Sequence, residues 1–174
     1  MGKKLLTVRE LTLFGMLAAM TFGAKLVMSY LPNIEPVTLF LLVFGAVFGW
    51  KALFIAYVYV LAEVLFYGLG IWNINYLYIW VFPVLAGWLL RGWKNPVLWA
   101  VIAGFYGLMF GLLCAPVDLF IGGPGYAVSK WLSGIPFDAM HCAGNFALVL
   151  VLFVPLRNLI QRLANTPPGG KVFR

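Results

Sequence analysis

The stretch Val37-Thr38-Leu39-Phe40-Leu41-Leu42-Val43-Phe44-Gly45-Ala46-Val47-Phe48-Gly49-Trp50-Lys51-Ala52-Leu53-Phe54-Ile55-Ala56-Tyr57-Val58-Tyr59-Val60-Leu61-Ala62-Glu63-Val64-Leu65-Phe66-Tyr67 carries two charges, Lys51 and Glu63. As one helix it would be about 45 Å long, and a bilayer's hydrocarbon core is about 30 Å thick. The run therefore has to break, and Gly49-Trp50-Lys51 is where it is expected to do so. Two short helices result, each under the usual span length, so one is partly re-entrant or shielded by its neighbours. The rest of the chain has the same character. Of its 174 residues 64% are hydrophobic and 10% charged, with a mean hydropathy of +0.99. A soluble domain is nearer half apolar and a quarter charged. A soluble fold of this size cannot hide so much apolar surface, which excludes a cytosolic enzyme, a secreted disulfide scaffold and a disordered tail.

Working outward, a first helix is predicted over Val8–Leu31, ended by Pro32, with Leu31–Pro36 as a rigid loop. Gly68–Asn75 reads as a loop and Tyr76–Leu90 as a fourth helix. Arg91–Pro96 is a polar turn before a fifth helix at Val97–Leu119. A Gly/Pro loop around Ile121–Gly125 leads to a sixth at Pro136–Leu163. The expected fold is an all-α, six-helix transmembrane bundle: one domain over residues 1–164 and a short polar tail over 165–174. No cleavable signal peptide and no internal repeat are expected. With six spans both termini share a side, and 10 of the 12 basic residues fall on it; only Lys25 and Lys130 lie opposite. Positive charge accumulates on the cytoplasmic side, so both termini are expected there. The net charge of +7 is thus a topology signal, and nucleic-acid binding is not expected.

Four of the five acids, Glu35, Glu63, Asp118 and Asp138, fall in the outer half. Lys25, His141, Asn33, Asn73, Asn75 and Asn145 share it. Ionisable groups inside spans are expensive and usually face the protein interior or a wet cavity. Internal pairs such as Lys25 with Glu63 are one explanation; an externally open polar pocket accounts for the one-sidedness of the whole set. Asp138, His141 and Asn145 are spaced by 3 and 4, so they share a helical face. Asp138 serves equally as a cap near a helix N-terminus or as a ligand contact. Trp72-Asn73-Ile74-Asn75-Tyr76-Leu77-Tyr78-Ile79-Trp80 alternates rings with amides. Such rings form interfacial belts, or the walls of a site for a flat, ringed ligand. Trp131 stands beside the same pocket. Gly15, Ala19 and Gly23 recur every four residues, a groove that lets a helix approach closely in lipid, within this bundle or from a partner. One histidine and two apolar cysteines, Cys114 and Cys142, fall short of a metal ligand set.

The ensemble resembles the substrate-binding S component of energy-coupling factor (ECF) vitamin transporters. The resemblance covers about Val8 to Leu156. It rests on Leu11-Thr12-Leu13-Phe14-Gly15-Met16-Leu17-Ala18-Ala19, on Leu31-Pro32-Asn33-Ile34-Glu35, on Tyr76-Leu77-Tyr78-Ile79-Trp80, and on Gly134-Ile135-Pro136-Phe137-Asp138 with His141, Gly144 and Asn145. It implies a subunit in a prokaryotic plasma membrane that captures a vitamin from outside. Its pocket lies under the first, third and fifth loops and is lined by helices 4 to 6. It also implies a transmembrane coupling partner, docked on the Gly15, Ala19 and Gly23 groove, and two cytoplasmic ATPases that drive inward reorientation. Glycine at two of these three positions departs from the alanine-rich family groove. The chain has no glycine-rich phosphate loop of its own, so it is not expected to be an enzyme, and no cofactor is expected. Riboflavin, thiamin, folate, a queuosine-type base and cobalamin are the ligand candidates, with cobalamin slightly favoured by the ring-rich mouth. Loops 31–36 and 118–133 are expected to close over the ligand. The rival readings are a stand-alone secondary transporter and an intramembrane enzyme. Ser29, Ser129 and Ser133 lie near loops with no nucleophile elbow, and Cys142 points about 100° away from His141 on a helix.

Overall fold

The computed structural model describes residues 6–31 and 34–165. Asn33 and the polar tail from residue 166 lie outside the described residues. Every regular element described is helical: α1 Val8–Met28, α2 Val37–Phe48, a 3-10 turn at Gly49–Lys51, α3 Ala52–Tyr67, α4 Trp72–Ile79, α5 Val81–Leu89, α6 Pro96–Leu108 and α7 Phe110–Asn165. Three stretches, Val8–Met28, Val37–Tyr67 and Pro96–Asn165, are long and apolar enough to cross a membrane.

α1 opens with a capping box, Thr7 accepting from the Glu10 N–H while Glu10 reaches back to the Thr7 N–H. The expected break at 49–51 is present. Gly49 takes φ +64° and faces the Trp88 ring, and the chain reverses there. α3 consequently runs beside α1 in the same direction: Lys51 meets Glu10 at 2.6 Å at one end, and Lys25 meets Glu63 at 2.9 Å at the other. α2 is the central rod, packed on α5, α7, α3 and α1. It crosses α5 at glycine contact; a Cβ on Gly45 would strike the Val84 carbonyl, and one on Gly87 would strike Leu42 and stand 2.9 Å from the Ala46 nitrogen.

Three expectations are corrected. The helix after the third loop starts at Trp72, so Asn73 and Asn75 are helical and the loop shrinks to 68–71. That helix then breaks at Trp80, between α4 and α5. Pro83 has no N–H to offer the Ile79 carbonyl four residues back, and the Tyr106 hydroxyl donates to that carbonyl instead, at 3.0 Å. Finally, the long loop over 118–133 is absent. α7 is interrupted only at Gly123 (φ 76°, ψ −178°), a region open essentially to glycine. Pro124 follows at the start of the return limb, where a helix tolerates proline. The return limb, 124–165, begins twelve residues before Pro136 and is about 63 Å long.

α6 and α7 form an antiparallel hairpin. Trp93 meets Arg157, Trp99 stacks on Phe153, Ala103 meets Asn145, Gly107 packs on the His141 backbone, Gly111 meets Asp138, and Asp118 meets Lys130. At the end opposite Lys130, Arg9 donates to the Leu163 and Ala164 carbonyls and Arg157 to those of Arg91 and Trp93. Cations at a helix C-terminus complement its dipole.

The exterior is strongly apolar, and several polar and charged side chains lie inside an otherwise apolar core. Glu63, Asp118, Asp138, His141, Asn73, Asn75 and Asn145 are buried. Leu65, Leu69, Phe105, Phe120 and Val151 stand 63% to 90% exposed. Water would penalise both halves of this arrangement, and an apolar solvent penalises neither.

Candidate functional site

The buried polar side chains gather at the end opposite the Arg9 and Arg157 contacts. α1 ends at Met28 and presents Lys25 from its last turn. α3 presents Glu63 and, one turn earlier, Tyr59. The segment joining α1 to α2 carries Ile34 and Glu35. α4 contributes Trp72 and Tyr76, which share a face with Trp80 at spacings of four. α7 adds Phe110 from its first turn and His141 from its return limb.

Two adjoining cavities lie between these groups. One, of about 310 Å³, is lined by Lys25, Ile34, Glu35, Tyr76, Phe110 and His141 among others. The second, of about 390 Å³, is lined by Lys25, Glu63, Tyr67, Trp72 and Tyr76. Lys25 and Tyr76 belong to both. The Lys25 ammonium pairs with Glu63 and also faces the rings of Tyr76, Tyr59 and Tyr67 at 5.5, 5.9 and 5.9 Å, within cation–π range. An edge-to-face series runs Tyr67–Trp72–Tyr76–Trp80, with centroids 5.0 to 6.5 Å apart. Trp80 also touches Tyr59 and Phe110, and Phe110 touches His141 at 4.9 Å. Such contacts fix ring orientations that isolated side chains would lose.

Among the described residues Glu35 has no lysine or arginine of its own. Its Oε1 stands 3.9 Å from His141 Nε2, beyond hydrogen-bond reach. Burial pushes its carboxyl up to about 7; Lys25 pulls it the other way and Glu63 adds to the rise. Two buried polar atoms at this cluster, Trp80 Nε1 and His141 Nε2, find no hydrogen-bond partner among the described residues. The Tyr59 hydroxyl and Glu63 Oε1 face each other short of good hydrogen-bond geometry. Buried polar atoms are rarely left so, and their gathering here is the most specific feature of the region.

The expected site residues thus divide. Glu35, Glu63, Trp72, Tyr76, Trp80 and His141 come together. Asn75, Asp118 and Trp131 line a different cavity of about 330 Å³ at the root of the hairpin tip, beside the Asp118–Lys130 ion pair of 2.5 Å. The Tyr78 hydroxyl stands between the Leu113 carbonyl and the Asn75 side chain, at 2.6 and 2.9 Å. Asn73 accepts from the Gly70 N–H and holds the turn into α4. Asp138 lies well inside the return limb rather than in its own first turn, but it faces the N-terminal turn of α7. Its carboxylate accepts from the Gly111 N–H at 3.1 and 3.2 Å, covering the backbone break at Met109. Asn145 donates to Thr38 and to the Ala103 carbonyl, tying α2, α6 and α7. So of the three same-face residues only His141 reaches the pocket; the other two hold the hairpin in register. The walls come from α1 and α3 as well as α4 and α7, wider than helices 4 to 6. Because 118–133 is helical, it is not the loop expected to close over the site; of the other expected segment, Leu31, Ile34 and Glu35 line the cavity.

Sequence reading missed Lys25, Tyr59, Tyr67 and Phe110 as site residues. Lys25 carried a signal, a lone lysine in an apolar helix, and Tyr59 lies one turn before Glu63. Phe110 carried none. Among the described residues no group of three or more His, Cys, Asp or Glu side chains is placed to hold a metal ion. A further groove of about 380 Å³ between α2, α5 and α6 is almost wholly apolar and offers little that would orient a polar ligand. Comparison with protein families, with curated proteins and with solved structures finds no match for the chain.

Proposed function

We propose that the chain is a membrane-embedded ligand-binding subunit of an ECF-type importer, taking a small ringed micronutrient from outside the cell. The observation that carries this reading is the cluster of unpartnered buried polar atoms around the Lys25–Tyr76 cavities, inside a molecule whose exterior suits lipid. A ligand with ring faces and hydrogen-bonding edges would satisfy those atoms together. The chain is read as six passes, supported by the reversals at 49–51, 68–71, 90–95 and Gly123, with the bases, and so both termini, on the cytoplasmic side. A prokaryotic plasma membrane is the setting the resemblance implies.

The two adjoining cavities suit a drug-sized molecule. That favours linked or fused rings of the thiamin, riboflavin or queuosine-base size over the much larger corrin of cobalamin. The sequence contains no phosphate-binding loop, so ATP has to be hydrolysed by partners. α1 offers them a surface: Phe14, Leu17, Ala18 and Thr21 face inward, Ala19 is exposed, and a Cβ on Gly15 or Gly23 would meet nothing within 4 Å. The small-residue groove is therefore turned outward rather than used for internal packing.

Mass spectrometry of ligand carried through mild detergent purification tests the reading, followed by titration of the identified molecule. Trp72→Ala and Tyr76→Ala should each weaken binding at least tenfold, about 1.4 kcal/mol. Unchanged affinity in both variants would refute this site.

A further inference from the structure

Resting on the ligand-binding reading above, we propose that the pocket selects a planar organic cation, whose charge lies against Glu35 and whose rings lie between the tyrosine and tryptophan faces. Three independent features of the geometry lead there.

The first is the charge count. Two carboxylates, Glu35 and Glu63, and one ammonium, Lys25, border the joined cavities. Lys25 is committed to Glu63 at 2.9 Å. Glu35 accepts no hydrogen bond from any described residue and sits 18% exposed at the mouth. Whenever Glu35 is ionised its charge is thus uncompensated, facing a cavity with low-dielectric walls. An anion brought there would meet like charge on Glu35, whereas a cation completes the pair.

The second is the wall itself. Three tyrosine rings already surround an ammonium, that of Lys25. Aromatic faces carry negative potential, and cages of this kind recognise cations. Trp72 and Tyr76 continue the same lining into the second cavity. The third is the set of unpartnered atoms. His141 Nε2 is buried without a partner on the wall of the Glu35 cavity, and the N–H groups of a protonated or amino-bearing heterocycle are donors that an imidazole nitrogen accepts.

The raised carboxyl of Glu35 agrees with a missing counter-charge. Its charged and titratable surroundings are Lys25 on α1, Tyr59 and Glu63 on α3, Tyr76 on α4, Tyr106 on α6 and His141 on α7. A bound cation favours the ionised carboxylate, so binding of a permanently charged ligand releases a proton from Glu35.

The test is a charge-graded panel titrated against the purified, folded full chain. Thiamin and 7-aminomethyl-7-deazaguanine are the cations, riboflavin the neutral member, and folate the anion. A cation should bind at least 100-fold more tightly than riboflavin or folate. Its affinity should rise about tenfold from pH 6 to pH 8 for a carboxyl titrating near 7, if the ligand's own charge is constant. Glu35→Gln, a mouth residue whose replacement leaves the Lys25–Glu63 pair intact, should lose that pH dependence and at least 30-fold in affinity. Thermal melting verifies that this variant is folded; if it is not, the ranking of the wild-type panel decides. Riboflavin or folate binding as tightly as either cation overturns the cationic class while the ligand-binding reading stands. No binding by any panel member, with no molecule carried through purification, overturns both.

Discussion

Glu35 concentrates the chemistry of the site in a single side chain. In the folded protein its carboxyl keeps a proton up to about pH 7, against about 4.5 for an ordinary glutamate. Between those values the fold binds more protons than the unfolded chain, so stability must fall as pH rises and level off above pH 7. At about 1.4 kcal/mol per pKa unit the loss is at most about 3 kcal/mol. Melting of the ligand-free protein in detergent from pH 4.5 to 8 should show this decline, and Glu35→Gln should flatten it; a variant that keeps the slope would assign it to another group. At this scale the sequence was partly legible. The one-sided acids and amides marked the right end of the molecule, because a charge in an apolar run has few places to go. Partners were not legible. Asp138, His141 and Asn145 share a face as their spacing demands, yet one reaches the cavity and two hold the backbone, and that depends on what the neighbouring helix presents at each height.

Among the elements, the crossing of α2 and α5 is the tightest contact between rods. Gly45 and Gly87 face each other there, and a methyl group on either would enter the other helix's backbone. Gly87→Ala should therefore destabilise the fold by about 1 to 3 kcal/mol, read as a lowered melting temperature with helix content unchanged at 25 °C. An unaffected melting temperature would mean that the rods separate freely. Helix existence was legible from the apolar runs, and so was the break at 49–51, since length alone forbids a single span. Two boundaries were not. Residues 118–133 are rich in the glycine, proline and serine that usually signal loops. They are helical here because apolar side chains flank them, Lys130 pairs with Asp118 across the turn, and one glycine makes the whole reversal. Likewise Asn73 lies in the first turn of α4 instead of within a loop, and its side chain accepts from the Gly70 N–H.

At the scale of the whole molecule, an apolar exterior encloses a cluster of buried polar side chains, and the small-residue groove on α1 is turned outward. On the proposed function, binding and docking would occupy different faces. Ala19→Trp should leave ligand affinity in detergent within twofold while abolishing ATP-driven uptake in vesicles that contain the partner subunits. Intact uptake would remove α1 as the docking face. The apolar exterior was the most legible property of the chain, because it follows from composition. The identity of the residues facing the cavity required the packing of four elements on one another, which no local pattern encodes.

The one-residue reversal at Gly123 also bears on how the chain enters a membrane. From Met109 to Ile135 the only charged residues are Asp118 and Lys130, twelve positions apart and bonded to each other across the hairpin. On the proposed orientation this tip is the part that must be translocated. Once the two limbs zip together it carries no net charge and no polar loop, so the barrier set by burying a lone ion in lipid is largely removed. The ion pair at the tip thus leaves the hairpin end without net charge, which on the proposed orientation lowers the cost of carrying it across.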